Sequence, residues 1–218
     1  MTDIELSLIV IAGTALLTGI IFLLVVRAKK ERLGKLRALA ERHGWQFDPI
    51  QTRLSSGYTL SGERWTLQVL TQAKGVDVEP HTFNVSSETV FNAQVPTQPG
   101  RYILVGPAPV GVALGTFGER LQKRIIEQYL GPQAAGVRPV QAGSSTFMQR
   151  FMIFASEPAR VPDLVTPGFE AWMTRWEKHK PVAKLTPDGL EIRLADVALK
   201  QPEDVETLVE VGASLSGR

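Results

Sequence analysis

From Leu6 to Val26 the chain runs for 21 residues without a charge, LSLIVIAGTALLTGIIFLLVV. As a helix this run is about 31 Å long at about 1.5 Å per residue, which matches a hydrocarbon core of about 30 Å. Fourteen of the 21 are Leu, Ile, Val or Phe. At roughly −0.3 to −0.6 kcal/mol each they favour insertion by about 4 to 8 kcal/mol as an upper figure, and the two glycines and the hydroxyl residues only reduce it. The run therefore predicts a transmembrane helix. A cleaved signal peptide needs basic residues before a shorter apolar run and a small-residue cleavage site after it. Here Asp3 and Glu5 precede the run, and Arg27, Lys29, Lys30 and Arg32 follow it.

The same flanks set an orientation. Arg27, Lys29, Lys30, Arg32, Lys35, Arg37 and Arg42 all lie after the run and no basic residue lies before it. The positive-inside rule then places the N-terminus outside and the rest in the cytoplasm, in a cell (inner) membrane crossed once. Residues 27–43 hold seven basic and two acidic side chains, a net +5, whereas residues 44–218 hold 17 basic and 18 acidic, a net −1. The basic character is thus a collar next to the membrane, and the overall net charge of +2 argues against nucleic acid as a partner. Arg27, Lys29, Lys30, Arg32 and Lys35 are the candidate contacts to anionic lipid headgroups, each worth about 1 kcal/mol close to the surface. The plainer role of these cations is to fix topology. Within the run, Ala15 and Gly19 form a small-xxx-small pair of the kind through which helices dimerise, so a homodimer is one expectation.

The organisation expected is 1–26 as tail and transmembrane helix, 27–43 as a basic juxtamembrane helix, and 44–218 as a cytoplasmic domain. Leu33, Leu36, Leu39 and Ala40 give 27–43 an apolar stripe, and Gly44 suits the left-handed cap that ends it. Tyr58–Leu60 and Trp65–Thr71 read as a hairpin around Gly62, residues 74–81 as a loop, Thr82–Val95 as one or two strands, and Arg101–Val105 as a short one. Thr116–Leu130 is an amphipathic helix opening on Thr116 and Glu119 and stopped by Gly131-Pro132. Residues 131–145, rich in Gly, Ala, Pro and Gln, read as a mobile loop. Phe147–Ala155 reads as a strand and Pro167–His179 as a helix. Val182–Leu185 and Leu190–Leu194 form a hairpin on Thr186-Pro187-Asp188-Gly189, and Pro202–Leu215 is a last helix with Glu203 and Asp204 at its positive end. Hairpins mixed with single helices, without regular βαβ alternation, predict an α+β fold with a mostly antiparallel sheet and about three helices. About 175 residues suffice to bury a core without metal or disulfide.

Catalytic patterns are sparse. The chain has no cysteine, which removes disulfides, thiolate metal sites and a thiol nucleophile together. No phosphate-binding Gly-x-x-x-x-Gly-Lys-Ser/Thr loop occurs. Gly111, Gly115 and Gly118 precede a helix but with the wrong spacing for a dinucleotide fingerprint. The nearest approach to a Gly-x-Ser-x-Gly elbow, Gly212-Ala213-Ser214-Leu215-Ser216, lacks its second glycine. Of the three histidines, His43 and His179 fall at helix C-termini, where they suit the dipole. Asp77, Glu79 and His81 alternate and so share one face of an extended chain. They form a partial metal-ligand set set against a solvated loop, and no metal or other cofactor is assigned. Asn84-Val85-Ser86 matches a glycosylation sequon, without meaning in a cytoplasmic domain. Phe169, Trp172, Met173 and Trp176 fall at i, i+3, i+4 and i+7 on one helix face. That stripe reads first as core, and otherwise as a partner surface or a helix lying in the membrane interface with Arg175, Lys178 and Lys180 at the headgroups.

The phrase Leu36-Arg37-Ala38-Leu39-Ala40-Glu41-Arg42-His43-Gly44-Trp45-Gln46-Phe47, the hairpin around Gly62, Phe151-Met152-Ile153-Phe154-Ala155 followed by Leu164-Val165-Thr166-Pro167, and the Gly189-Leu190 hairpin before a terminal helix resemble a loose group of bacterial single-pass membrane proteins of unassigned activity. These have an N-terminal anchor and a cytoplasmic α+β domain. The resemblance implies a bacterial inner-membrane setting and no catalytic role. The function expected is a non-enzymatic interaction or scaffold domain at the cytoplasmic face of the membrane. Its partners would be membrane lipids through the anchor and another membrane or cytosolic protein. The alternatives are a small-ligand or lipid sensor and a membrane-tethered hydrolase using carboxylates.

Overall fold

The structure is a computed structural model that describes residues 3–75, 83–95, 100–108, 116–132, 134 and 136–216, with the backbone alone at 3–12, 15, 74–75, 83–84, 116–122 and 216. The first element, α1 (Asp3–His43), is one unbroken helix of 41 residues. At about 1.5 Å per residue it is roughly 60 Å long. The expected apolar and basic segments are therefore two stretches of the same rod. It stops at Gly44, whose φ of +69° only glycine adopts without strain. The Gly44 N–H donates to the Glu41 carbonyl (3.3 Å) and the Trp45 N–H to the Ala40 carbonyl (2.8 Å), the paired bonds of a Schellman cap.

Four strands follow as a meander: β1 (Gln46–Gln51), β2 (Ser55–Ser61), β3 (Trp65–Gly75) and β4 (Phe83–Ala93). Next come β5 (Ile103–Pro107), α2 (Thr116–Leu130), β6 (Arg138–Val140), α3 (Ser145–Arg150) and β7 (Phe151–Ala155). The chain closes with α4 (Val161–Leu164), α5 (Pro167–Arg175), the hairpin β8 (Val182–Thr186) and β9 (Gly189–Ala195), and α6 (Pro202–Ser216). The strands form one nine-stranded sheet in the order β1-β2-β3-β4-β9-β8-β5-β7-β6. Every described pairing is antiparallel, so the α+β expectation holds. The late β8–β9 hairpin slots between β4 and β5 and joins the two halves. Both edge strands carry a proline, Pro49 in β1 and Pro139 in β6, which removes a donor from each exposed edge.

One face of the sheet is apolar from end to end. Leu60, Leu67, Phe91, Ile192, Ala183 and Ile103 are each fully buried there. The last turns of α1 cover it through Leu36, Leu39 and Ala40, together with α5 and α6. The opposite face divides. Over β5, β7 and β8, α2 covers Leu104, Phe154 and Val182 in a second, smaller core. Over β2, β3, β4 and β9 that face carries alternating residues such as Thr59, Gln68, Asn92 and Arg193, and among the described residues no helix covers it.

Several sequence expectations are corrected. β1 was not foreseen, because its QFDPIQ sequence with a central proline has little strand character. Within the supposed loop 131–145, β6 pairs with β7 as an edge strand. The supposed strand Phe147–Ala155 begins as α3, because the Ser144 side chain accepts from the Phe147 N–H (3.2 Å) and nucleates a turn. The Ser144 N–H in turn donates to the Glu170 carboxylate (3.1 and 3.2 Å). α5 ends at Arg175, and a 3-10 turn, Glu177–His179, leads to Lys180 at φ 47°. With the single-turn helices α3 and α4, the helices exceed the three expected after α1. The expected loop 74–81 falls almost wholly outside the described residues, apart from the end of β3 at Gly75.

The segment entering α6 is tied down by buried hydroxyls. The Thr89 hydroxyl donates to the Val197 carbonyl (2.8 Å) and accepts from the Leu199 N–H (3.2 Å). The Tyr58 hydroxyl donates to the Leu199 carbonyl (2.9 Å). Burial, and secondarily the charge of Asp204, push the Tyr58 phenol well above its ordinary value, so the fold holds it neutral. Tyr58→Phe is expected to cost about 1 to 3 kcal/mol in denaturant unfolding by orphaning that carbonyl. Because the folded state raises this pKa, its share of stability is whole below the ordinary value of 10.0 and is lost as pH rises beyond it. The variant should lack that part of the alkaline destabilisation.

α6 also lies unusually close to the sheet. A Cβ at Gly212 would sit 2.2 Å from the Phe91 ring. Helix propensity alone would make Gly212→Ala stabilising by about 1 kcal/mol. Overpacking against a fully buried phenyl reverses the sign, and a net loss of about 1 to 3 kcal/mol is expected in thermal or denaturant melts.

Candidate functional site

The junction where α1 leaves the domain is the most distinctive surface among the described residues. Burial fades along the helix: Leu36, Leu39 and Ala40 are 1% exposed, Leu33 is half-buried, and Val26 is 46% exposed. The helix and edge strand β1 thus diverge, and a wedge-shaped groove of about 570 Å³ opens between them. Val26, Lys29, Lys30, Leu33, Gly34 and Arg37 line its helical wall. Their spacing of three and four puts all six on one helix face. Phe47, Pro49 and Gln51, alternate residues of β1, line the other wall.

Arg37 is held in place from below. Its guanidinium lies 5.7 Å from the centroid of the Phe47 ring, which stacks on Tyr58 at 5.9 Å. Among the described residues, Lys29, Lys30 and Arg37 have no carboxylate partner, whereas Lys35 pairs with Glu31 at 3.3 Å. The five collar residues named from sequence, Arg27, Lys29, Lys30, Arg32 and Lys35, are all exposed on α1. Only Lys29 and Lys30 reach the groove. Arg37 belongs with them, and the helical spacing 26, 29, 30, 33, 34, 37 was the signal for it, readable once α1 is known to be a single helix.

The end of α1 is clamped by aromatic and polar contacts. His43 stacks on Trp45 (4.5 Å), Trp45 meets Trp65 edge-on (5.1 Å), and Trp65 stacks on Phe91 (5.8 Å). His43 Nε2 lies 2.7 Å from the Glu206 carboxylate of α6. These contacts give His43 a structural role beyond the favourable place at the helix dipole that the sequence shows.

The aromatic stripe is corrected as a partner surface. Phe169, Trp172 and Met173 are 1%, 2% and 0% exposed, packed beneath the sheet in the main core. A partner could reach them only if α5 left the domain. Trp176 alone is half-exposed, with Arg175 5.9 Å from its ring. Arg175 also pairs with Asp204 of α6, and Arg150 of α3 with Glu177 (2.7 Å), so the polar side of α5 holds neighbouring helices. Lys178 and Lys180, the other cations of the interfacial reading, are exposed and have no carboxylate partner among the described residues.

The open half of the sheet carries a chain of charges. Lys184 pairs with Glu191 (2.9 Å), Glu191 with Arg193 (3.4 Å), and Arg193 with Glu88 (3.3 Å). A polar cleft of about 350 Å³ lies at the strand ends beside them, lined by Arg64, Thr66, Asn92, Lys184, Asp188 and Glu191 among others. Among the described residues no group of three or more His, Asp and Glu is placed to hold a metal ion. Asp77, Glu79 and His81 lie outside the described residues, as do Gly111 and Gly115.

Leu16, Leu17 and the run Ile20–Val26 are exposed large apolar side chains, between 46% and 69% accessible. Among the described residues no helix is long and apolar enough to cross a membrane. The expected span Leu6–Val26 includes residues 6–12 and 15, whose side chains lie outside the described set, as does one member of the Ala15–Gly19 pair. The Thr18 hydroxyl donates to the Thr14 carbonyl (2.8 Å), which satisfies it within its own helix.

No family model matches the sequence, and no curated protein matches it. Among solved structures, the crystal structure of the mycobacterial trehalose monomycolate transport factor A, TtfA, aligns with a TM-score of 0.40 at 6% identity, covering 85% of this chain and 93% of that one. A score this low does not establish a shared fold.

Proposed function

We propose that this chain is a non-enzymatic interaction domain held at the cytoplasmic face of a bacterial inner membrane by a single N-terminal span, Leu6–Val26. The observation that carries the reading is α1 itself: exposed apolar residues up to Val26, a collar of cations directly after it, and a C-terminal end built into the domain core without an intervening linker. An exposed run of nine large apolar side chains on one helix is costly in water and favourable in hydrocarbon. The collar sits where the positive-inside rule wants it.

Tethering raises the effective concentration of the domain for partners at the same surface, so a modest interface suffices. With the aromatic stripe buried, the surface offered to another membrane or cytosolic protein is the uncovered half of the sheet. Its charge chain from Lys184 to Glu88 supplies register rather than bulk affinity.

The test is membrane fractionation of the full chain carrying a C-terminal fluorescent reporter, followed by alkaline carbonate extraction. The full chain should stay in the pellet and fluoresce, as a cytoplasmic reporter does. Leu16→Asp/Leu17→Asp places two charges at about 2.5 to 3.5 kcal/mol each in the middle of the span and should release it to the soluble fraction. Carbonate release of the unaltered chain would overturn the reading.

A further inference from the structure

We infer that the groove between α1 and β1 is a binding site for an anionic phospholipid of the membrane that α1 enters. The inference deepens the anchored reading and rests on it for the source of the ligand. Three observations converge. The groove combines unpaired cations, Lys29, Lys30 and Arg37, with apolar walls from Leu33, Phe47 and Pro49. That is the chemistry of a phosphate ester joined to hydrocarbon. Its volume of about 570 Å³ falls within the range of about 300 to 1,000 Å³ usual for small-molecule sites. Its lower end opens at Val26, the last residue of the apolar run, so the groove is continuous with the surface that would meet the acyl chains.

Depth fits as well. Taking Val26 at the hydrocarbon boundary, Lys29 and Lys30 stand roughly 5 Å further out, within a headgroup layer about 5 to 7 Å thick. Arg37 stands roughly 16 Å out. The lysines are thus placed for the phosphate, and Arg37, steadied over Phe47, for the polar end of an extended headgroup. Acyl carbons would lie on the membrane side of the lysines, along Val26, and Leu33 with the β1 wall would face the carbons of the headgroup. A nucleic acid would need a longer cationic track than one groove offers in a domain otherwise of net −1. A peptide strand added to the edge of β1 would meet Pro49, which has no N–H to donate.

Gly34 provides a clean probe. A Cβ there meets nothing within 4 Å, so a side chain can be started into the groove from α1 without strain at its base. The experiment is native mass spectrometry of the full-length protein released from detergent micelles and titrated with dioleoyl phosphatidylglycerol, with dioleoyl phosphatidylcholine, and with inorganic phosphate. The expected result is one stoichiometric phosphatidylglycerol adduct, favoured over phosphatidylcholine by about tenfold. Gly34→Trp and the triple variant Lys29→Gln/Lys30→Gln/Arg37→Gln should each lose that preference. The equally discharged Arg27→Gln/Arg32→Gln/Lys35→Gln should keep it. Equal loss from both triple variants would overturn the site in favour of a diffuse cationic collar, and full competition by inorganic phosphate would overturn it in favour of a free-anion site. Carbonate extraction of the same variants separates the two readings. A variant that loses the adduct yet stays in the pellet speaks to the groove alone, and an unaltered chain that washes off speaks against the anchor.

Discussion

Everything on the apolar side of the sheet depends on how α1 ends. A helix of about 60 Å is worth little to a small domain unless its last turns are buried and its final carbonyls are satisfied. Here both conditions are met within a few residues. Leu36, Leu39 and Ala40 enter the core, and the Gly44 cap closes the carbonyls of Ala40 and Glu41. The next residue, Trp45, starts the aromatic run through Trp65 to Phe91, over which α6 passes at the one residue, Gly212, that leaves room. Helix, sheet and terminal helix therefore share one contact line. A change at any of these positions is felt by all three.

The two faces of the sheet explain why the chain needs both halves. The apolar face runs across all of the central strands, and helices from both halves of the sequence meet on it, α1 from the first and α3 to α6 from the second. The chain cannot complete that layer until the β8–β9 hairpin has taken its place between β4 and β5. Among the described residues, the second face is completed over β5, β7 and β8. Where it stops, paired charges replace apolar side chains, so the exposed half is a solvated surface and not an unfinished core.

Much of this was legible in the sequence where a local rule dominates. The Gly44 stop, the Thr186-Pro187-Asp188-Gly189 turn, the extent of α2 with its Gly131 stop, and α6 with its acidic first turn appear as read, because turn chemistry and helical period act over a few residues. β1 and β6 were not legible. Each is an edge strand with a proline, made a strand by a neighbour it pairs with rather than by its own composition. α3 was hidden because Phe147 and Phe151 suit a strand or a helix equally, and one serine hydroxyl decides between them. The collar was visible as charge, but the groove was not. A groove needs the angle between α1 and β1, which no run of residues encodes. The burial of the aromatic stripe follows the ordinary behaviour of an amphipathic helix.

The absence of a hinge between the apolar run and the core makes α1 a lever. Nine strands at about 4.8 Å spacing give a sheet roughly 40 Å across. In a bilayer, helices tilt by about 20° on average, and the tilt shifts with hydrocarbon thickness. Under the anchored reading proposed above, one rigid rod would join span to sheet, and a rotation of that size would swing the far edge of the sheet by roughly 13 Å. A protein anchored in that way would carry the local thickness of the membrane into the height and attitude of its polar face. A flexible linker would have erased that mechanical coupling.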